Sequence, residues 1–368
     1  MMRKYWQQLL SLAMFTLATF GLVFSGYATS EPHTWPLEQR TPFNVKIQQS
    51  QTLNYLPLTK AQKPWRICAL VPHLKDAYWI GIDYGLIQHA KTLGVSLDLF
   101  EAGSYYHKDK QLAQLQNCMQ GDYDAILLGS VSPDLLAQFT TQLTKPVLAL
   151  VNKLNSDRVQ THIGVNWYQM GLLAGNFIKA DAASQHPHQT ANLALLAGPE
   201  NVGGTDLVEQ GIRQALEGSQ VKISAIQHAD NNRNLYRDQL QMLLKSQQPD
   251  YILGSAVAIE AAISTLKQKG LSNRVKLVSS YLSPAILRGL KREKVIYSND
   301  DLVVLQGKLA IDVTVKQLEG AKIFGDIGPA IIKRTSSSNT LSQLDFSLAE
   351  ADFYPLYQVR PNSINRPL

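Results

Sequence analysis

From Trp65 onward, short apolar runs alternate with amphipathic stretches, and this rhythm restricts the fold more than any other feature of the chain. WRICALVPH reads as a strand, and YWIGIDYGLIQHAKTLG as a helix closed by Gly94. VSLDLFEAG is the second strand and HKDKQLAQLQNCMQG the second helix. DYDAILLGS then gives strand three, SPDLLAQFTTQL a helix with Ser132 at its N-cap, and KPVLALVN strand four. THIGVNWYQMGLLAGNFIKADAAS is a short strand running into a long helix. Apolar strands separated by helical periods of about ten to fifteen residues predict βαβ units and a parallel sheet.

The rhythm restarts after His186 with ANLALLAGPE and TDLVEQGIRQALEGS, and runs on to KVIYSND. Two consecutive α/β units of similar size predict two Rossmann-like lobes, whose facing C-terminal strand ends are where such sheets bind ligands. Lobe 1 is expected over 65–165 plus about 298–328, and lobe 2 over 166–297 plus about 329–368, including the C-terminal tail. The connections form a multi-strand hinge near 163–167, 296–300 and 328–333. Residues 29–64 resist the pattern: they are Pro-punctuated, with a weak alternating strand around Phe43–Gln48. This N-terminal extension and the similar tail after Thr335 pack along the lobes or bind a partner; for the extension, a flexible leader is the alternative.

The first residues carry Arg3 and Lys4, an apolar run from Leu9 to about Phe24, and then SGYATS. These are the three parts of a secretory signal peptide, with cleavage expected after Ala28. An uncleaved anchor is the alternative, but a spanning helix wants about 20 apolar residues, and no other stretch is apolar for long enough. The expected location is the periplasm. Loss of residues 1–28 removes two positive charges, so formal net charge falls from +6 to +4. The remaining charges are scattered, with no block for nucleic acid. The mature chain exceeds what one core usually covers, which again favours two domains.

Cys68 and Cys118 are the two cysteines. In an oxidising compartment they can form one disulfide or remain two buried thiols. No His or Cys stands at metal-ligand spacing from either, and no cofactor is implied: GPENVGG lacks the dinucleotide spacing. No G-x-S-x-G elbow appears, and the eight His residues are scattered, so an enzyme is not expected.

These elements, in this order, resemble the type I periplasmic binding proteins, the ribose-binding and LacI-like group, over roughly residues 66–335. The resemblance rests on DAYWIGIDYGLIQHAKTLG, DAILLGSVSPD, THIGVNWYQMGLLAG with its Asn166-Trp167 crossing, GPENVGGTDLVEQGIRQAL and SSYLSPAILRGLKREKV. It implies the two-lobed fold and a small-molecule ligand. A LacI-type DNA regulator is excluded by the export signal and by the lack of a helix-turn-helix before Trp65.

Departures from the sugar-binding pattern narrow the ligand. Asn152 stands where a clamping Arg is usual, Ser255 and Ala256 replace Asn and Asp, and Tyr281 replaces an Asp. In their place are aromatics: Tyr78 and Trp79 after strand one, Tyr105 and Tyr106 after strand two, Trp167 at the crossing, and Tyr281. Ring faces attract methylated nitrogen, which offers positive charge and no N–H. Within the family the chain resembles a sensor member for trimethylamine N-oxide (TMAO). That likeness implies TMAO as ligand and the periplasmic domain of a membrane sensor histidine kinase as partner. It puts Trp79, Tyr105, Trp167 and Tyr281 in an aromatic box, with Asp76 and Tyr78 beside them; Tyr105 against Tyr106 is the open choice. The competing reading is the substrate-binding protein of an ABC importer, or a chemoreceptor, for a sugar or related solute.

Overall fold

The run Ile67–Val71 is apolar without alternation, which suits a strand covered on both faces; it lies inside the first sheet, fully buried. The computed structural model describes residues 34–41, 49–185, 187, 189–337, 341 and 344–361. The export segment and the expected strand at Phe43–Gln48 lie outside the described residues. Strands β1 (Trp35–Thr41), β2 (Gln49–Tyr55), β3 (Arg66–Val71), β4 (Ser96–Glu101), β5 (Ala125–Leu128), β6 (Val147–Leu150) and β7 (His162–Ile163) come first. Next are β8 (Ala191–Ala197), β9 (Val221–His228), β10 (Tyr251–Gly254), β11 (Lys276–Ser279) and β12 (Tyr297–Asp300). Strands β13 (Asp326–Pro329), β14 (Ile332–Arg334) and β15 (Gln358–Val359) follow. The helices are α1 (Ala77–Leu93), α2 (Lys108–Gln120), α3 (Leu135–Gln138), α4 (Trp167–Gln185), α5 (Thr205–Leu216), α6 (Arg233–Ser246), α7 (Ala256–Gln268), α8 (Pro284–Lys291) and α9 (Val303–Leu318).

Among the described residues there are two sheets, ordered β15-β4-β3-β5-β6-β7-β13-β1-β2 and β14-β12-β11-β10-β8-β9. The runs β4-β3-β5-β6-β7 and β9-β8-β10-β11-β12 are parallel throughout. Numbered within its own lobe, each follows the doubly wound order 2-1-3-4-5. That order places a crevice between the strand ends of the first and third members, here after β3 and β5 and after β8 and β10. The chain passes between the sheets at 164–166, 301–302 and 330–331, and once more where the tail runs from β14 to β15.

Local chemistry sets the elements that meet at the crevice. Helix α1 starts at Asp76, whose Oδ1 accepts from Trp79 N, and ends at Gly94 in the left-handed region (φ 72°), the expected pair of caps. Helix α3 differs from expectation: it is only four residues long, and Ser132 does not cap it. The Ser132 hydroxyl instead accepts from Asp134 N. The Arg158 guanidinium binds the carbonyls of Leu136, Phe139 and Thr141, so those groups are satisfied without further helix.

The N-terminal extension packs along lobe 1, one of the two expected outcomes, whereas the tail goes elsewhere than expected. Strands β1 and β2 pair with each other and, through β1, with β13, extending the first sheet. The Tyr55 hydroxyl donates to Asp312 Oδ1 at 2.6 Å, and Leu58 N to Oδ2 at 2.8 Å, so the extension is fixed to α9. The tail was expected with lobe 2, yet it returns to lobe 1, where β15 pairs antiparallel with β4. Edge-strand hydrogen bonding draws it there: the unpaired edge of β4 offers backbone groups that need partners. On the way Ser347 donates to Asp300 Oδ2, Leu356 N donates to Asp83 Oδ2, and Phe353 meets the Tyr84 ring edge-on. Cys68 on β3 is disulfide-bonded to Cys118 on α2.

Asp83 is fully buried beneath this tail. Burial pushes its carboxyl from 3.8 up to about 7, against the hydrogen bond from Leu356 N. The folded state therefore holds this proton more tightly than the unfolded chain. Its contribution is full below about pH 4, and is lost as pH rises through 7. Asp83→Asn keeps an acceptor for Leu356 N and removes the charge. In thermal denaturation scans it is expected to raise the midpoint at pH 8 and leave it unchanged at pH 4.

Candidate functional site

The strand ends of the two crevices enclose a cavity of about 80 Å³ between the lobes. A single water needs roughly 10–15 Å³ on this measure, so the space suits a ligand of a few non-hydrogen atoms. Tyr78 and Trp79 enter it from the first turn of α1, Tyr105 from the loop after β4, and Asn152 from the loop after β6. Trp167 comes from the start of α4, and Tyr281 from the loop after β11. Trp167 stacks on Tyr78 at 6.2 Å, while Tyr281 meets Tyr78 edge-on at 5.0 Å and Trp79 meets it at 6.2 Å. Edge and offset contacts of this kind are the favoured aromatic geometries.

The polar atoms of these rings are mostly engaged by the protein. Tyr78 donates its hydroxyl to Asp301 Oδ2 at 2.7 Å, and Trp79 Nε1 donates to the Tyr105 hydroxyl at 3.2 Å. Trp167 Nε1 donates to the Val151 carbonyl at 3.1 Å. Asn152 Nδ2 donates to the Ser130 carbonyl at 2.8 Å and lies 3.5 Å from the Tyr105 oxygen. The Tyr281 hydroxyl is buried and has no hydrogen-bond partner among the described residues. Burial, reinforced by Asp76, holds that phenol well above its ordinary value, so it keeps its proton and remains a donor. A buried donor without an acceptor is costly unless something fills the role.

Of the six residues singled out from sequence, five line the cavity: Tyr78, Trp79, Tyr105, Trp167 and Tyr281. Tyr106 is 70 % exposed and does not line it. Asp76 stands beside the rings, close enough for its charge to act on the Tyr281 and Tyr105 phenols, but does not line the cavity itself. One of its oxygens caps α1, and the other accepts from Asn231 Nδ2 at 3.0 Å. It lines an outer vestibule of about 240 Å³, shared with Lys75, Asn231 and Tyr281. The carboxylate under the rings is Asp301, which sequence reasoning missed. Burial raises its carboxyl to about 6, despite hydrogen bonds from Tyr78 and Gln306. Also missed was the Gly203-Gly204 loop: a Cβ on Gly204 would lie 2.2 Å from Trp167 Cγ, so only glycine lets the loop close over the indole. The paired glycines in GPENVGG were the available signal.

Polar contacts cross the cleft around this cavity. Lys153 Nζ pairs with Asp206 at 3.0 Å, Lys153 N donates to the Gly203 carbonyl at 2.9 Å, and Asn231 bonds Asp76. Among the described residues no cluster of three or more His, Cys, Asp or Glu could hold a metal, and no helix is long and apolar enough to cross a membrane.

The two-lobed frame has many parallels among known proteins. Residues 67–322 match the family model described as a periplasmic binding protein domain. The chain belongs to this family. It is 36 % identical over 302 residues to the periplasmic protein TorT of Escherichia coli K12, covering 81 % of this chain and 86 % of that one, which places it in the TorT branch. A structure of the TorS sensor domain–TorT complex in the presence of TMAO superposes with a TM-score of 0.71 at 35 % identity, over 80 % of this chain and 99 % of that one. An ABC transporter solute-binding protein from Bradyrhizobium sp. BTAi1 with bound bis-tris gives a TM-score of 0.73 at 29 % identity, over 90 % and 99 %. The chain is thus a periplasmic binding protein and not an enzyme. Its fold class is the two-lobed α/β frame expected from the strand–helix rhythm.

Proposed function

We propose that this chain binds TMAO in the inter-lobe cavity and reports its presence to the periplasmic domain of a membrane sensor histidine kinase. The observation that carries the reading is the Tyr281 hydroxyl, a buried proton donor without a partner among the described residues, beside a small cavity walled by aromatic rings. An amine oxide offers what such a site lacks: one strongly accepting oxygen, and methyl groups bearing positive charge for the ring faces. The engaged indole N–H groups and phenols leave the rings as apolar walls. The likeness to TorT, and to a complex of TorT with the TorS sensor domain, supports both the ligand and the partner.

Tyr78, Trp79 and Tyr105 belong to the first lobe, Tyr281 to the second, and Trp167 to the crossing between them. Either lobe alone leaves half of the cage in water, so the ligand favours the closed arrangement and shifts the hinge equilibrium. A kinase ectodomain that grips one arrangement senses the shift and, by linkage, tightens or weakens ligand binding in return.

A thermal-shift comparison of TMAO, choline, glycine betaine and ribose tests the ligand. TMAO is expected to stabilise most, and Tyr281→Phe to reduce that gain by removing the donor while keeping the ring. Stabilisation by ribose alone sinks the reading. The second reading, a solute-binding subunit of an importer, is favoured by the likeness to the Bradyrhizobium protein. It predicts that adding the kinase ectodomain leaves TMAO affinity unchanged.

A further inference from the structure

Strand β1 lies outside the matched residues 67–322, yet its Arg40 reaches into the hinge. Arg40 is only 2 % exposed, and a buried guanidinium needs acceptors for its N–H groups. Nη1 has no hydrogen-bond partner among the described residues and lies 3.8 Å from Glu38 Oε2, while Nη2 and Nε find theirs in the hinge. Its Nη2 donates to the Gly164 carbonyl at 2.6 Å and to Asp326 Oδ1 at 2.9 Å, and Nε lies 3.3 Å from the same oxygen. Gly164 opens the first crossing between the lobes, and Asp326 lies on β13, which leads into the third. One side chain from the N-terminal hairpin therefore ties the first connection to the strand that leads into the third.

The contacts continue to the cavity. Asp326 Oδ1 faces His162 Nδ1 at 3.0 Å, and His162 Nε2 faces the Val151 carbonyl at 3.1 Å. Trp167 Nε1 donates to that same carbonyl. Val151 is a β-branched residue with φ 64°, a backbone state that persists only where its surroundings impose it. Here Val151 N donates to the Ile163 carbonyl at 2.7 Å, and the turned peptide offers one oxygen to both the imidazole and the indole. The packing leaves no slack: a Cβ on Gly328 would lie 1.7 Å from the Gly164 oxygen, and one on Gly164 2.9 Å from His162 Cε1. Chains of packed side chains and hydrogen bonds are the kind of contact through which coupling between sites runs.

We infer that Arg40 is a positioning residue: seated by the N-terminal hairpin, it fixes the first crossing and, through Asp326, His162 and the Val151 carbonyl, the orientation of the Trp167 indole. Its effect on ligand affinity rests on the proposed function; its effect on the indole does not.

The test uses the mature protein labelled with ¹⁵N-tryptophan, with Trp167→Phe to assign its indole signal. Arg40→Met and the milder His162→Ala are each expected to shift the Trp167 indole resonance and to speed its hydrogen exchange about tenfold or more. The Trp65 indole, bonded to Glu319, stays unchanged. Tyr55→Phe cuts the same hairpin's bond to Asp312, and is expected to lower the unfolding midpoint while leaving the Trp167 signal in place. By calorimetry, Arg40→Met weakens TMAO binding roughly tenfold, and Arg40→Lys recovers part of the loss. A wild-type Trp167 signal in both Arg40→Met and His162→Ala, or an equal shift in Tyr55→Phe, overturns the inference. Should the unmodified protein bind no TMAO, the functional reading fails, and the indole signal still decides the role of Arg40.

Discussion

Trp167→Ala is expected to weaken TMAO binding by about 100-fold, the largest effect of any single substitution in the cavity. A cation–π contact in a desolvated site contributes about 2 kcal/mol, and the lost apolar contact adds about 1 kcal/mol. Together these correspond to roughly two orders of magnitude in Kd. The indole also supports its neighbours, since Tyr78 stacks on it and the Gly203-Gly204 loop closes over it. Truncation leaves a hole that the site cannot fully collapse into. Tyr106→Ala, at an exposed position one residue from Tyr105, is the matched control and should bind as the wild type does. Calorimetric titration separates the two outcomes. Wild-type affinity in Trp167→Ala means that the ligand sits elsewhere.

The second large effect concerns the Cys68–Cys118 bridge. It joins a central strand to the helix that covers it, across 50 residues of sequence. In the loop-entropy account a loop of that size restrains the unfolded chain by about 4 kcal/mol. The Cys68→Ser, Cys118→Ser double variant is therefore expected to lose a large share of the stability of lobe 1. Urea unfolding followed by circular dichroism reads this as a lower midpoint, and reduction of the wild type should reproduce it. Equal midpoints for oxidised and reduced protein contradict the estimate.

These effects fall on residues that were legible to different degrees. Tyr78, Trp79 and Trp167 stand out in the sequence because each opens a helix directly after an apolar strand, where a parallel sheet ends and ligands gather. Tyr105 and Tyr106 could not be separated by pattern. The loop after β4 is irregular, and only its folded path turns one ring inward and leaves the other 70 % exposed. Asp76 has a second role that the pattern of aromatics did not bring out. A carboxylate just before a helix is also a capping residue, and the local hydrogen bond to Trp79 N, with Asn231 across the cleft, claims both of its oxygens. Asp301 gave no signal, because its value lies in contact with Tyr78, 223 residues away in the chain.

By itself, then, the sequence determined the class of fold and the neighbourhood of the cavity. Both follow from hydrophobic periodicity, which is local and repeats with the elements it builds. Only the tertiary structure decided where the chain ends lie. The Pro-punctuated extension has no strong period, yet its strands complete the first sheet and deliver Arg40 to the hinge. The tail closes the opposite edge of that sheet. Edge pairing and buried ion pairs join residues hundreds of positions apart, and their energy comes from burial and from acceptors supplied by distant segments. No window of neighbouring residues contains that information.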